Sequence, residues 1–206
     1  MNDYIGDFTK HLAEAIEIGQ TTFLSDPHSD IHNVLICGLG GSGIGGTIVN
    51  DLVSEHINVP ISATKDYSIP NFVDENTLVI ASSYSGNTEE TLYALEACQK
   101  RRAQIACVTS GGALENLAKE KGFNCIIIPG GQPPRAMFGY SFTQLFFLLN
   151  HYGLIDNSFI SEFEKSIALL VSEKEAIKTE AKLIATKLHG TTPVIHTAAG
   201  FEGVGV

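Results

Sequence analysis

Apolar and polar positions follow two different periods along this chain. Over residues 4–20, Ile5, Phe8, Leu12, Ala15 and Ile16 recur at helical spacing on one face, which predicts an amphipathic leader helix. Asp26-Pro27-His28-Ser29-Asp30 then breaks the pattern. A continuous apolar run at 34–37, of the kind found in strands buried on both faces, is followed by further short, mainly apolar runs at 61–64, 78–82, 105–108 and 125–128. Helices are predicted to about Val53 after the first run, and near 88–101 and 112–121 between the last three. Strands alternating with helices connect by right-handed crossovers. The expected architecture is therefore α/β: a three-layer, doubly wound, flavodoxin-like sheet of about five parallel strands with helices on both faces.

The pattern changes after Pro129. Residues 138–152 form a strongly apolar helical stretch in which Leu145-Phe146-Phe147-Leu148-Leu149 leaves little room for a polar face. Such a helix is buried either in its own core or against another domain or subunit, and in the second case the chain would self-associate. Residues 159–188 read as two charged amphipathic helices with a break near Ser172. Thr192-Pro193-Val194-Ile195-His196-Thr197 then opens a new strand, and the glycine-rich 198–205 follows it. The expected organisation is a domain at 1–152 including the leader helix, a helical linker at 153–190, and at 191–206 the first strand and glycine turn of an incomplete second domain. A lone strand cannot build a sheet, so the 206 residues are expected to be a fragment of a two-domain protein.

Composition narrows the function. With 44% hydrophobic residues, 17% charged and 20 glycines, the chain fits a packed α/β protein. A net charge of −10 argues against a nucleic-acid surface, and the basic cluster Lys100-Arg101-Arg102 closes a helical stretch, where cations suit the dipole. Cys37, Cys98, Cys107 and Cys125 lack C-x-x-C spacing and read as buried thiols in a reducing compartment. No basic and apolar leader is present and no apolar run reaches the ~20 residues that span a bilayer, so a soluble, cytoplasmic protein without membrane contact is expected. The histidines at 11, 28, 32, 56, 151, 189 and 196 show no ligand spacing, and no metal is assigned.

Three segments carry candidate chemistry. Gly38-Leu39-Gly40-Gly41-Ser42-Gly43, between strand and helix, satisfies G-x-G-x-x-G, and Asp66 lies where a ribose-binding acid would. Taken alone it allows an NAD-dependent dehydrogenase, since glycines at such a turn serve any phosphate. The second segment, Ser83-Tyr84-Ser85-Gly86-Asn87-Thr88-Glu89, sets hydroxyls at 83, 85 and 88 around a tight turn. Amides and hydroxyls can converge there on phosphate oxygens, or Ser85, Thr88 and Glu89 can serve as an ordinary helix cap. The third, Pro129-Gly130-Gly131-Gln132-Pro133-Pro134-Arg135, holds an arginine behind two prolines, either fixed for a ligand or closing a solvated loop.

Together with Ala136, Gly139 and Tyr140, these segments resemble the SIS (sugar isomerase) domain family, and more narrowly its bifunctional phosphoglucose/phosphomannose isomerases. The resemblance implies a two-domain, homodimeric enzyme that needs neither metal nor nicotinamide and interconverts fructose 6-phosphate with glucose 6-phosphate or mannose 6-phosphate. By position, Ser83, Ser85 and Thr88 would hold the phosphate, Gly41 and Ser42 would line the sugar side, and Arg135 would stabilise an enediolate-like intermediate. The family's glutamate base and ring-opening histidine match no residue here. Glu202 lies in the glycine turn itself, and His196 is on the wrong element. A non-catalytic SIS module that senses a phosphosugar is the alternative from another class, with the dehydrogenase third.

Overall fold

The computed structural model describes residues 2–198 and 200–205. Five strands, β1 (Asn33–Cys37), β2 (Ile61–Thr64), β3 (Thr77–Ser83), β4 (Gln104–Thr109) and β5 (Asn124–Ile127), form one sheet in the order β2-β1-β3-β4-β5. Every neighbouring pair is parallel, as the strand and helix rhythm predicts. β3 and β4 lie at the centre and are buried along their whole length. β2 and β5 are edges and only half-buried, so the expectation of two buried faces holds for the inner strands alone.

Strand alternation divides the core into two layers. Val34, Ile36, Leu78, Ile80, Ala106 and Val108 face α2 (Phe8–Thr21), α3 (Gly41–Val53) and α6 (Phe138–His151). Leu35, Cys37, Val79, Ala81, Ile105 and Cys107 face α4 (Glu89–Lys100) and α5 (Gly112–Lys121). The apolar helix α6 is buried in this chain's own core, against α2, α3 and the aromatic side of α7 (Ser158–Ser172). Phe147 meets Phe159 edge to face at 5.0 Å between ring centroids. Gln144 is fully buried in α6 and donates its Nε2 hydrogen to the Ala15 carbonyl of α2 at 2.8 Å.

The leader is broken where one continuous helix was expected. α1 (Asn2–Gly6) stops before Asp7, whose carbonyl accepts the Lys10 and His11 amides and starts α2. Ile5 is consequently exposed, while Leu12, Ala15 and Ile16 are buried as predicted. The charged pair of helices appears as α7 and α8 (Lys174–Leu188), divided at Glu173. No residue of α8 is buried, and Ile177, Leu183, Ile184 and Leu188 are exposed. Residues 192–198, expected as a further strand, pair with no strand among the described residues, and a single turn, α9 (Glu202–Gly205), rests on α3. No described helix is long and apolar enough to cross a membrane.

Candidate functional site: two loops at the switch point of the sheet

Connections from β1 run to β2 on one side and those from β3 to β4 and β5 on the other, so the order reverses between β1 and β3. In open parallel sheets that point leaves a crevice beyond the carboxyl ends of the strands, where ligands bind. Both glycine-bearing loops leave the sheet there. β1 and β3 pair in register up to Cys37 and Ala81, so Gly38–Gly40 and residues 84–88 emerge side by side.

The first loop turns sharply into α3, with Gly40 as its N-cap and Gly41 and Ser42 in its first turn, both half-buried. Gly43 is required because a Cβ there would lie 2.5 Å from the Gly38 carbonyl oxygen, closer than any side chain can stand. Lys65 follows β2 level with this loop, since Thr64 pairs with Cys37, and its Cε lies 3.2 Å from the same position. That ammonium stem is a candidate ligand contact absent from the expected site. Its signal lay in strand register, which sequence spacing alone does not show. Asp66 is exposed and accepts the Tyr67 amide at 2.7 Å. The Cys37 thiol, immediately before the loop, is pushed well above the usual range by its hydrogen bond with Cys98 and then by burial, so it supplies no thiolate here.

The second loop is tighter. The Gly86 amide donates to the Ser83 carbonyl at 3.1 Å, and Gly86 holds a φ of +66°. Ser83 is buried, and its hydroxyl lies 2.8 Å from the Thr88 hydroxyl. Ser85 is exposed, and its Oγ accepts the Asn87 amide at 3.2 Å. Thr88 is the N-cap of α4 by position, yet its side chain makes no capping bond. The capping expectation for Ser85, Thr88 and Glu89 therefore fails at its central residue: Thr88 turns toward Ser83, and no cap side chain takes the opening amides of α4. Those amides carry the positive end of the helix dipole, shared with Glu89 and Glu90 in the first turn.

A third loop, after β4, braces the second. Ser110 donates its amide at 3.0 Å and its hydroxyl at 2.6 Å to the Tyr84 carbonyl, and the Ala113 amide donates to Asn87 Oδ1 at 3.0 Å. Neither Ser110 nor Thr109, whose hydroxyl donates to the Gly111 carbonyl at 2.8 Å, stands out in the sequence, because their role depends on the sheet placing β4 beside β3.

Arg135 sits on a 3-10 turn at Pro134–Met137, exposed and with no hydrogen-bond or ion-pair partner among the described residues. It lines a cavity of about 540 Å³ with Tyr4, Phe8, Leu170, Lys174 and Ile177, and none of the loop serines lines that cavity. The pairing of β1 with β3 thus sets the loop bearing Gly41 and Ser42 beside the loop bearing Ser83, Ser85 and Thr88, while Arg135 lies apart from both in the chain, immediately before α6. No three His, Cys, Asp or Glu side chains gather as a metal site would require among the described residues.

Residues 29–152 match the model of the SIS domain. The chain belongs to the SIS domain family. Among curated relatives it is 38% identical to the bifunctional phosphoglucose/phosphomannose isomerase of Caldicellulosiruptor bescii, over 97% of this chain and 61% of that protein. It is 37% identical to the protein of the same name from Thermoplasma volcanium, over 83% of this chain and 52% of that protein. This SIS chain therefore spans about half to three-fifths of the length of these relatives. Among solved structures, the C-terminal domain of glucosamine-fructose-6-phosphate aminotransferase from Francisella tularensis shares the fold with a TM-score of 0.66. That likeness covers 92% of this chain and 59% of the other at 16% identity.

Proposed function

We propose that this chain is the phosphate-binding half of a phosphosugar aldose–ketose isomerase that interconverts fructose 6-phosphate with glucose 6-phosphate or mannose 6-phosphate. One observation carries the proposal: the uncapped amino end of α4 and the Ser83, Ser85 and Thr88 hydroxyls stand beside the glycine loop at the switch point. A phosphate dianion there accepts hydrogen bonds from the open amides of α4 and from these hydroxyls, Ser83 and Thr88 otherwise pairing with each other. Gly41 and Ser42 face the sugar. When a base moves a proton between C1 and C2, an enediolate oxygen carries the charge, and Arg135 stabilises it. No residue of this chain is assigned as that base.

The same proposal divides the chain into an SIS domain at 1–152, a helical linker at 153–190 and the opening of a second SIS domain at 191–206. The apolar face of α8, uncovered here, supports it, because α2 stands in the same place before β1 and buries its own apolar face. The working enzyme in this proposal is a cytoplasmic homodimer without metal or nicotinamide.

Titration calorimetry with fructose 6-phosphate, with NAD as control, tests it. Saturable phosphosugar binding without NAD binding is expected. Ser85→Ala and Thr88→Ala should each lose a hydrogen bond to a charged group, about 1.5–3 kcal/mol or roughly tenfold to over a hundredfold in affinity. Unchanged affinity in both variants would defeat the phosphate assignment, and NAD binding alone would return the glycine loop to the dehydrogenases. Isomerase turnover by the 206-residue chain would overturn its description as half an enzyme.

A further inference from the structure

We infer that the Tyr84 hydroxyl is a strut that sets the position of Arg135 relative to the phosphate loop, making Tyr84 a positioning residue for binding a sugar phosphate. The inference rests on the phosphosugar-binding role proposed above and adds a residue to it.

The two parts of the site lie on opposite sides of the sheet. Ser83 has the strand parity of Val79 and Ala81, which face α4 and α5, whereas Arg135 immediately precedes α6 on the other face. A ligand held by both must cross the carboxyl end of β3. Tyr84 stands at that end with the parity of Leu78 and Ile80, 9% exposed and packed in the α6-side core. Its backbone is fixed from the phosphate side, since its carbonyl accepts both the amide and the hydroxyl of Ser110. Its hydroxyl reaches the other way and accepts the Gln132 backbone amide at 3.1 Å.

Gln132 is the last residue before two prolines and Arg135. Pro133 has φ −58° and ψ 130°, and Pro134 begins the 3-10 turn, so the path from Gln132 to Arg135 has few free torsions. Anchoring the Gln132 amide therefore sets where the Arg135 backbone stands. The Gln132 side chain is held as well, its Oε1 accepting the Tyr4 hydroxyl. The guanidinium itself has no partner among the described residues, so its location depends on this backbone anchor. Inorganic phosphate needs only the loop amides and hydroxyls. A sugar phosphate that reaches Arg135 also needs the strut.

Calorimetry on the full 206-residue chain separates the two cases, using fructose 6-phosphate and inorganic phosphate against wild type, Tyr84→Phe, Arg135→Ala and the double variant. Tyr84→Phe keeps the buried ring and deletes only the acceptor. It should weaken fructose 6-phosphate about tenfold and leave inorganic phosphate within about twofold. The double variant should bind no worse than Arg135→Ala, because the strut acts through the arginine. Equal loss for both ligands would mark Tyr84 as a structural support of the phosphate loop and overturn the inference. So would additive losses in the double variant, or a Tyr84→Phe chain indistinguishable from wild type. If fructose 6-phosphate binds and Ser85→Ala weakens it while Tyr84→Phe does not, the strut alone falls. If wild type binds neither ligand, the phosphosugar role falls and the strut with it.

Discussion

Replacing Gly86 by alanine tests whether the second loop has the built geometry described above. Gly86 holds φ +66°, where a Cβ costs about 1–2 kcal/mol. That Cβ would also lie 1.8 Å from the Gly111 carbonyl oxygen and 2.8 Å from Thr109 Oγ1, so the second and third loops must part. Parting them puts at risk the Leu114 amide bond to the Gly86 carbonyl at 2.9 Å and the Ser110 bonds to Tyr84, each worth about 0.5–1.5 kcal/mol. The sum is a loss of about 2.5–6.5 kcal/mol, a large part of the roughly 5–15 kcal/mol that holds a domain folded. At about 2–4 °C per kcal/mol for a chain of this size, Tm should fall by roughly 5–26 °C. Urea unfolding followed by circular dichroism gives the free energy, and phosphosugar affinity should fall in the same variant. Gly41→Ala is the matched control: a Cβ at Gly41 meets nothing within 4 Å, so stability should change by less than about 0.5 kcal/mol while a ligand over the first turn of α3 is obstructed. A Gly86→Ala protein within about 1 kcal/mol of wild type would refute the packing of loop on loop.

Leu148→Ala removes a fully buried side chain from α6 and should destabilise the chain by about 2–5 kcal/mol in the same unfolding assay. Tyr140 donates to the Glu14 carboxylate, and its pKa is raised, first by burial and then by that carboxylate. The folded state therefore holds this proton more tightly than the unfolded chain does, and its contribution is intact below about pH 10 and lost as pH rises. Tyr140→Phe should flatten that alkaline slope in unfolding measured from pH 8 to 11. Ile184→Lys lies on the uncovered face of α8 and should change the stability of this chain by less than about 0.5 kcal/mol, whereas in a longer protein whose second domain covers α8 it should be strongly destabilising.

The sheet was legible because its signals are local. Each inner strand is built around a short apolar run, and alternation with helices allows few connections, so strand number, direction and the placing of both loops followed from the chain. β2 and β5 carried the same kind of run but lie at the edges, since apolar composition marks a strand without saying whether both its sides are covered. The break at Asp7 does not show in the sequence because the apolar spacing runs unbroken through it, while α2 starts on backbone bonds to the Asp7 carbonyl. The sequence left α6 two burial partners to choose from. What decided it was an aromatic cluster with α7 and a glutamine bond to α2, contacts made across long sequence separations.

The candidate site divides along the same line. Its phosphate side is made of amides and hydroxyls at two strand-to-helix turns, each contained within about ten consecutive residues. Such a site is written as a motif because the backbone that binds is the backbone that turns. The sugar side is different. Two prolines fix the local path to Arg135, but the position of that path is set by Tyr84, about fifty residues earlier in the chain, through one hydroxyl and one amide. Lys65 reaches the glycine loop only because β2 pairs with β1 in a register that sets Thr64 beside Cys37. The residues proposed to hold phosphate can thus be found by reading along the chain, while those proposed to distinguish one phosphate ester from another depend on register and on loop-to-loop hydrogen bonds. For that reason the Tyr84 and Arg135 pair is a sharper test of this site than any glycine in it: exchanging a hydroxyl for a hydrogen leaves every local signal intact and removes only the tertiary link.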